Sequence, residues 1–246
     1  MKVVFHEDFF DVYVSDPAAE PGRMEAIIDE IEGEVEFVDA VEADYEDIIR
    51  VHTEDHITGV EQEGLYSVAA LAAGGAVQAA EIGLREPCFG IIRPPGHHAS
   101  AGSAWGFCYF NNMSIALEYL KSKKQINSAF VLDFDMHYGD GNVNILETKD
   151  YVSILNPSSY DRDQYMSEVE SRLKDCDVDI IGVSAGFDNH LEDWGGVLYT
   201  EDYYEMGKMV KEAAKRSGGG YFAILEGGYN HKVIGMNALS LIRGMS

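Results

Sequence analysis

Short apolar runs rich in β-branched residues recur along this chain, and each stops abruptly at polar or glycine-containing residues. They occupy residues 2–5, 89–92, 129–134, 152–155, 180–184 and 221–225. Runs of this length that do not alternate with polar residues suit strands covered on both faces. Longer segments of helical character lie between them, at residues 22–31, 45–60, 66–82, 112–121, 164–173 and 201–215. Strand and helix in alternation imply right-handed crossovers, hence an α/β fold of three layers, α/β/α, around a central, mostly parallel sheet. The Ala- and Gly-rich stretch 68–80 reads as an interior helix whose small side chains let it approach the sheet.

At 246 residues, with 46% apolar and 25% charged side chains, the chain can build one large core, and nothing resembling a linker divides it. A single domain over residues 1–246 is expected. No apolar run approaches the length of a spanning helix, and the start has only a short apolar stretch, so a soluble cytoplasmic protein that makes no membrane contact is expected. Cys88, Cys108 and Cys176 are widely spaced and odd in number, which suggests buried thiols rather than disulfides or a thiolate zinc site. A formal net charge of -25 argues against direct nucleic-acid binding, which needs basic surface to replace phosphate counterions.

Ligands gather at the carboxyl ends of strands in open parallel sheets, and four of these ends run into unusual polar residues. After residues 89–92 comes Arg93-Pro94-Pro95-Gly96-His97-His98, a rigid turn carrying two histidines suited to acid–base work near neutrality. Residues 129–134 lead into Asp133, Asp135 and His137, which share one side if the strand stays extended, with Asp140 following. Three ionisable groups at the end of an apolar strand are costly unless a cation or a hydrogen-bond network compensates them. The run 180–184 ends in small residues followed by Asp188, which can close a coordination sphere of one imidazole and two carboxylates. Such a set suits zinc or ferrous iron and leaves positions open for water and substrate. Finally, Glu226-Gly227-Gly228 places Tyr229 after a tight turn, where a phenol can donate to a developing oxyanion.

These segments, together with Val51-His52-Thr53 and Gly106-Phe107-Cys108-Tyr109-Phe110-Asn111-Asn112, resemble the histone deacetylase and acetylpolyamine amidohydrolase family, within the arginase/deacetylase fold. The resemblance spans most of the chain. It implies a zinc-dependent deacetylase or amidohydrolase, with ferrous iron as the alternative ion, that removes an acetyl or other short acyl group from an amine by metal-activated water. By the same resemblance Asp135, His137 and Asp188 are the metal ligands, and His98 is the general base and then acid, with Asp140 as its carboxylate partner. His97 is tuned by Asp133, Tyr229 polarises the carbonyl, and Gly106 and Phe107 wall the acyl channel. Acylated lysine, acylated polyamine or another small amide are the implied substrates. A structural potassium ion is implied near Asp133, Asp135, His137, Ser153 and Ile154.

The chain departs from that pattern in three places. Tyr138 stands where many relatives have a second histidine, and Leu155 replaces a frequent histidine beside the potassium segment. Between Ser153 and Asp188 the chain is shorter than its relatives, which implies a wider substrate channel or a homo-oligomer whose neighbouring subunit completes the wall. An arginase-like ureohydrolase shares the fold but uses a manganese pair, and the His97-His98 pair and Tyr229 weigh against it. A non-catalytic acyl-lysine binding module would not need the full set of ligands, base and phenol.

Overall fold

The computed structural model describes all 246 residues, Met1–Ser246. Seven strands form its centre: β1 (Lys2–Phe5), β2 (Glu36–Asp39), β3 (Cys88–Gly90), β4 (Ala129–Asp133), β5 (Val152–Leu155), β6 (Ile180–Ala185) and β7 (Gly220–Leu225). Every neighbouring pair is parallel, in the order β2-β1-β3-β7-β6-β4-β5. Nine helices complete the three layers: α1 (Arg23–Ile31), α2 (Tyr45–Ile48), α3 (Glu54–Gln62), α4 (Tyr66–Gly83), α5 (Asn112–Ser122), α6 (Asp140–Leu146), α7 (Arg162–Lys174), α8 (Thr200–Ser217) and α9 (Ile234–Met245). The helices pack chiefly as α4 with α5, α1 with α9, and α7 and α9 against α8. No helix is long and apolar enough to cross a membrane.

The sheet order explains why the polar junctions converge. β3, β7, β6 and β4 are consecutive neighbours, so the segments that follow them leave the same edge of the sheet side by side. These four strands are buried almost throughout, and α4 is buried along most of its length as its composition predicts. Cys88 and Cys108 are buried free thiols, and Cys176 is partly exposed.

Three expectations about the elements change. The helical segment 45–60 breaks into α2 and α3, because Thr53 caps α3 by accepting from His56 N at 3.3 Å, while His52 turns inward. β2, α6 and α9 join the elements read from the sequence, β2 as a largely exposed edge strand with no apolar run to mark it. The extended geometry assumed for residues 133–137 also fails. β4 ends at Asp133, and Asp135 Oδ1 accepts from His137 N at 2.9 Å, which folds the backbone over.

Candidate functional site

Asp135, His137 and Asp188 meet where the β4 and β6 exits lie side by side, with one ligand atom from each within 4.8 Å of the others. His137 Nδ1 is 3.0 Å from Asp135 Oδ1 and 3.0 Å from Asp188 Oδ2. Main-chain donors aim the carboxylates: Gly227 N donates to Asp135 Oδ2 at 2.9 Å and Met136 N to Asp188 Oδ1 at 3.0 Å. Gly227 has to lack a side chain, since a Cβ there would lie 2.5 Å from Asp135 Oδ2 and 2.8 Å from Asp188 Oδ2.

This cluster is short of positive charge. Burial, followed by the neighbouring Asp135, pushes Asp188 up to about 7. Burial also opposes charge on Asp135, but His97 and the His137 contacts outweigh it and hold that carboxyl below the usual range. Hydrogen bonds to Asp135 and Asp188 raise His137 to about 10. One step deeper, Asp133 Oδ1 is buried with no hydrogen-bond partner, while Asp188 Oδ2 is buried with the His137 ring beside it. Two fixed carboxylates and one imidazole crowded within 4.8 Å fit a divalent cation, which satisfies them without the protons they otherwise need.

Beneath the triad the polar groups are knitted together. Asp133 Oδ2 faces His97 Nδ1 at 3.3 Å and accepts from Asn142 Nδ2 at 3.0 Å. Burial disfavours charge on His97, yet Asp135 and Asp133 together raise it well above its ordinary value. Glu226 Oε2 accepts from Gly96 N at 2.7 Å and His97 N at 3.2 Å, and its Oε1 accepts from Ser184 Oγ at 2.9 Å. Burial raises Glu226 to about 7. His98 differs: its Nδ1 lies 2.7 Å from Asp140 Oδ1, and burial with His97 alongside lowers it to about 4 despite that partner. The ring is therefore neutral near pH 7.

Tyr229 stands on the loop after β7, half-buried, its ring stacked on Trp194 with centroids 4.0 Å apart. Burial, then the charges of Asp135 and Asp188, raise its phenol, so it stays protonated and able to donate. Asp193 Oδ2 pins that loop by accepting from Tyr229 N and Asn230 N, each at 2.8 Å. Buried Arg23 pins it from below, donating to Glu226 O at 2.6 Å and Gly228 O at 2.7 Å.

The opposite wall is a β-turn, Trp105-Gly106-Phe107-Cys108, closed by Cys108 N donating to Trp105 O at 3.1 Å. Both central residues are left-handed, with φ 59° at Gly106 and 67° at Phe107, a conformation costing about 1–2 kcal/mol for a side chain like Phe107. A Cβ on Gly106 would fall 2.4 Å from His98 Cδ2, so the position admits only glycine. Phe107 meets the Tyr229 ring edge-on at 6.0 Å. His52 holds both ends of the loop carrying this turn, through Ser100 O at 3.1 Å and Asn111 N at 2.8 Å. Being the acceptor for Asn111 N fixes Nε2 as unprotonated and Nδ1 as the donor to Ser100 O.

The structure thus gathers Asp133, Asp135, His137, Asp188, His97, His98, Asp140, Gly106, Phe107 and Tyr229 at one end of the sheet. Ser153 and Ile154 lie on β5, where they pair with Phe130 and Val131 of β4, two to three residues before Asp133, and Ser153 is exposed. Asn156 comes nearer, its Oδ1 accepting from Gly139 N at 2.9 Å. Glu226, Arg23, Asp193, Trp105 and Trp194 are the site residues that sequence reasoning passed over. Glu226 carried the same signal as Asp133, a carboxylate closing an apolar run, whereas Arg23 carried none.

The Histone deacetylase domain family matches the chain over residues 61–165 and 156–245. A "Probable deacetylase" of Archaeoglobus fulgidus is 29% identical across 93% of this chain and 81% of its own length. Another, from Methanothermobacter thermautotrophicus, is 29% identical across 99% of this chain and 90% of its own. The Pseudomonas aeruginosa "Histone deacetylase-like amidohydrolase" is 29% identical over 74% of this chain and 59% of that protein. Among solved structures, the crystal structure of the HDA15 HD domain shares the fold, with a TM-score of 0.84 at 23% identity, covering 98% of this chain and 88% of that one.

Proposed function

Because this chain belongs to the histone deacetylase family and is a hydrolase of that family, we propose that it removes acetyl or other short acyl groups from acylated amines in a reaction dependent on one divalent ion. The observation that carries the reading is the convergence of Asp135, His137 and Asp188 within 4.8 Å, beside a neutral His98 paired to Asp140. Zinc or ferrous iron suits this donor set, and when bound there it would supply Lewis-acid charge to the substrate carbonyl and acidity to water. In this reading residues 1–246 act as one catalytic domain in the cytoplasm.

The chain's own residues then have distinct tasks. With Nδ1 tied to Asp140, His98 leaves Nε2 to take a proton from the attacking water and return it to the departing amine. Tyr229 donates its phenolic proton as a hydrogen bond to the oxygen on which charge develops. Asp133 fixes the ring of His97, and Gly106 and Phe107 exclude water along one wall. On the other side only residues 156–161 connect β5 to α7. Residues 156–160 of this connection border a cavity of about 300 Å³ that Asp135 and His137 also line. This thin wall favours substrates less enclosed than a narrow tunnel would accept.

A panel of acetyl-lysine peptides, acetylated polyamines and longer acyl amides, each assayed with zinc and with ferrous iron, tests the proposal. Carboxylate release from at least one class is expected. Urea release with two ions bound per chain would move the reading to a ureohydrolase. Binding of acetyl-lysine peptides without any turnover would reduce the protein to a recognition module.

A further inference from the structure

The chain has two tryptophans, and one of them, Trp105, touches both members of the His98 and Asp140 pair. Its ring lies 3.8 Å from the His98 ring, centroid to centroid, at an interplanar angle of 30°. Its Nε1–H donates to Asp140 Oδ2 at 2.9 Å, while Oδ1 of the same carboxylate faces His98 Nδ1 at 2.7 Å. Trp105 is nonetheless 56% exposed, so burial of its own surface is not what holds it there. The left-handed turn at Gly106 and Phe107 directs it, and the donor and the stack fix it.

Asp140 needs such a partner. Its side chain is 34% exposed, and without the indole only one of its oxygens would be tied, leaving the carboxylate free to rotate toward water. His97 flanks the imidazole with ring centroids 4.0 Å apart, but it offers nothing to Asp140. We propose that Trp105 is a positioning residue that locks the plane of Asp140 through its N–H and covers His98 with its face. The general base is thereby held in one orientation and tautomer.

This inference rests on His98 being the base, and the test separates the two claims. Trp105→Phe keeps the ring and removes the donor. It should lower kcat about tenfold, the scale of one hydrogen bond to a charged group at a half-exposed position, and leave KM within about twofold. In an Asp140→Asn background the same change should have no further effect on kcat. A residue that merely walls the channel would raise KM instead, and its effect would multiply with that of Asp140→Asn; either result overturns the proposal.

A second readout needs neither metal nor substrate. In Trp194→Phe protein, Trp105 is the one remaining indole, and His98→Ala should shift its emission to the red and raise its quenching by acrylamide, because one covered face of the ring is opened to water. Unchanged emission overturns the contact on its own. A responsive indole in a protein that hydrolyses no acyl amide would instead defeat the hydrolase reading and leave the contact standing.

Discussion

Asp133, Asp135, Asp188 and Glu226 lie beneath the site at 0 to 3% exposure, whereas Trp105, Tyr138, Tyr160 and Trp194 around its mouth are 52 to 92% exposed. The floor is held by the main chain: Gly96, His97, Met136, His137 and Gly227 all donate backbone N–H groups to its carboxylates. Such donors cannot be exchanged by point mutation, and glycines press against the carboxylates so closely that no side chain fits. At the rim, Trp105 and Trp194 are held by stacking and Trp105 also by one side-chain hydrogen bond. Chemistry is therefore built into backbone that tolerates little, while the surface that meets the rest of the substrate, Trp105 apart, can change at small cost.

The largest effects should come from the groups proposed as catalytic at the edge of the floor. His98→Ala is expected to lower kcat by about 10²–10⁴-fold while the ion is retained, because general acid–base catalysis is worth that much. Steady-state kinetics with elemental analysis of the same sample decide it, and unchanged turnover would remove His98 from the mechanism. Gly106→Ala, where the floor meets the rim, should cost about 1–2 kcal/mol of stability through its left-handed φ. It should also cost about 10²-fold in turnover by displacing His98. Chemical denaturation and kinetics measured together check both numbers, and a variant as stable and active as the parent would contradict the fit.

His52 joins the two regions, and it gives a pH signature. Burial, with His56 nearby, lowers it from 6.5 to about 3, so its neutral ring contributes stability that is fully present above pH 6.5 and is lost as pH falls toward 3. The stability gap between the parent and His52→Ala should shrink by about 2 kcal/mol between pH 8 and pH 5, at about 1.4 kcal/mol per unit below 6.5. Urea titrations at the two pH values measure it, and a gap independent of pH would deny the clamp its neutral tautomer. At the rim, Tyr160→Ala should change stability by no more than about 0.5 kcal/mol and alter KM differently among substrates. A loss of kcat common to all substrates would erase the distinction between floor and rim.

The floor was legible because its residues announce themselves. Asp133 and Asp188 each follow an apolar strand, where a charge has no ordinary reason to be; Glu226 gave the same signal and was missed, and the close approaches that require Gly106 and Gly227 appear only in the folded chain. Register was not legible. Whether Ser153 or Asn156 comes near Asp133 depends on how β5 slides against β4, and a strand of three apolar residues and a serine fixes no unique pairing. β2 escaped for a related reason, as an exposed edge strand needs no apolar pattern. Trp105 shows the remaining limit: its contacts depend on Phe107 adopting φ 67°, a choice made by tertiary packing against an aromatic residue's own preference.

The account depends most on the claim that the Asp135, His137 and Asp188 cluster is completed by a cation. Elemental analysis and acetate release should be measured on the same dialysed samples of the parent protein and of Asp188→Ala. One divalent ion per chain is predicted in the parent and none in the variant, with acetate release that vanishes on chelation and returns with zinc or ferrous iron. Full occupancy in Asp188→Ala, or full acetate release by metal-stripped protein, would contradict it.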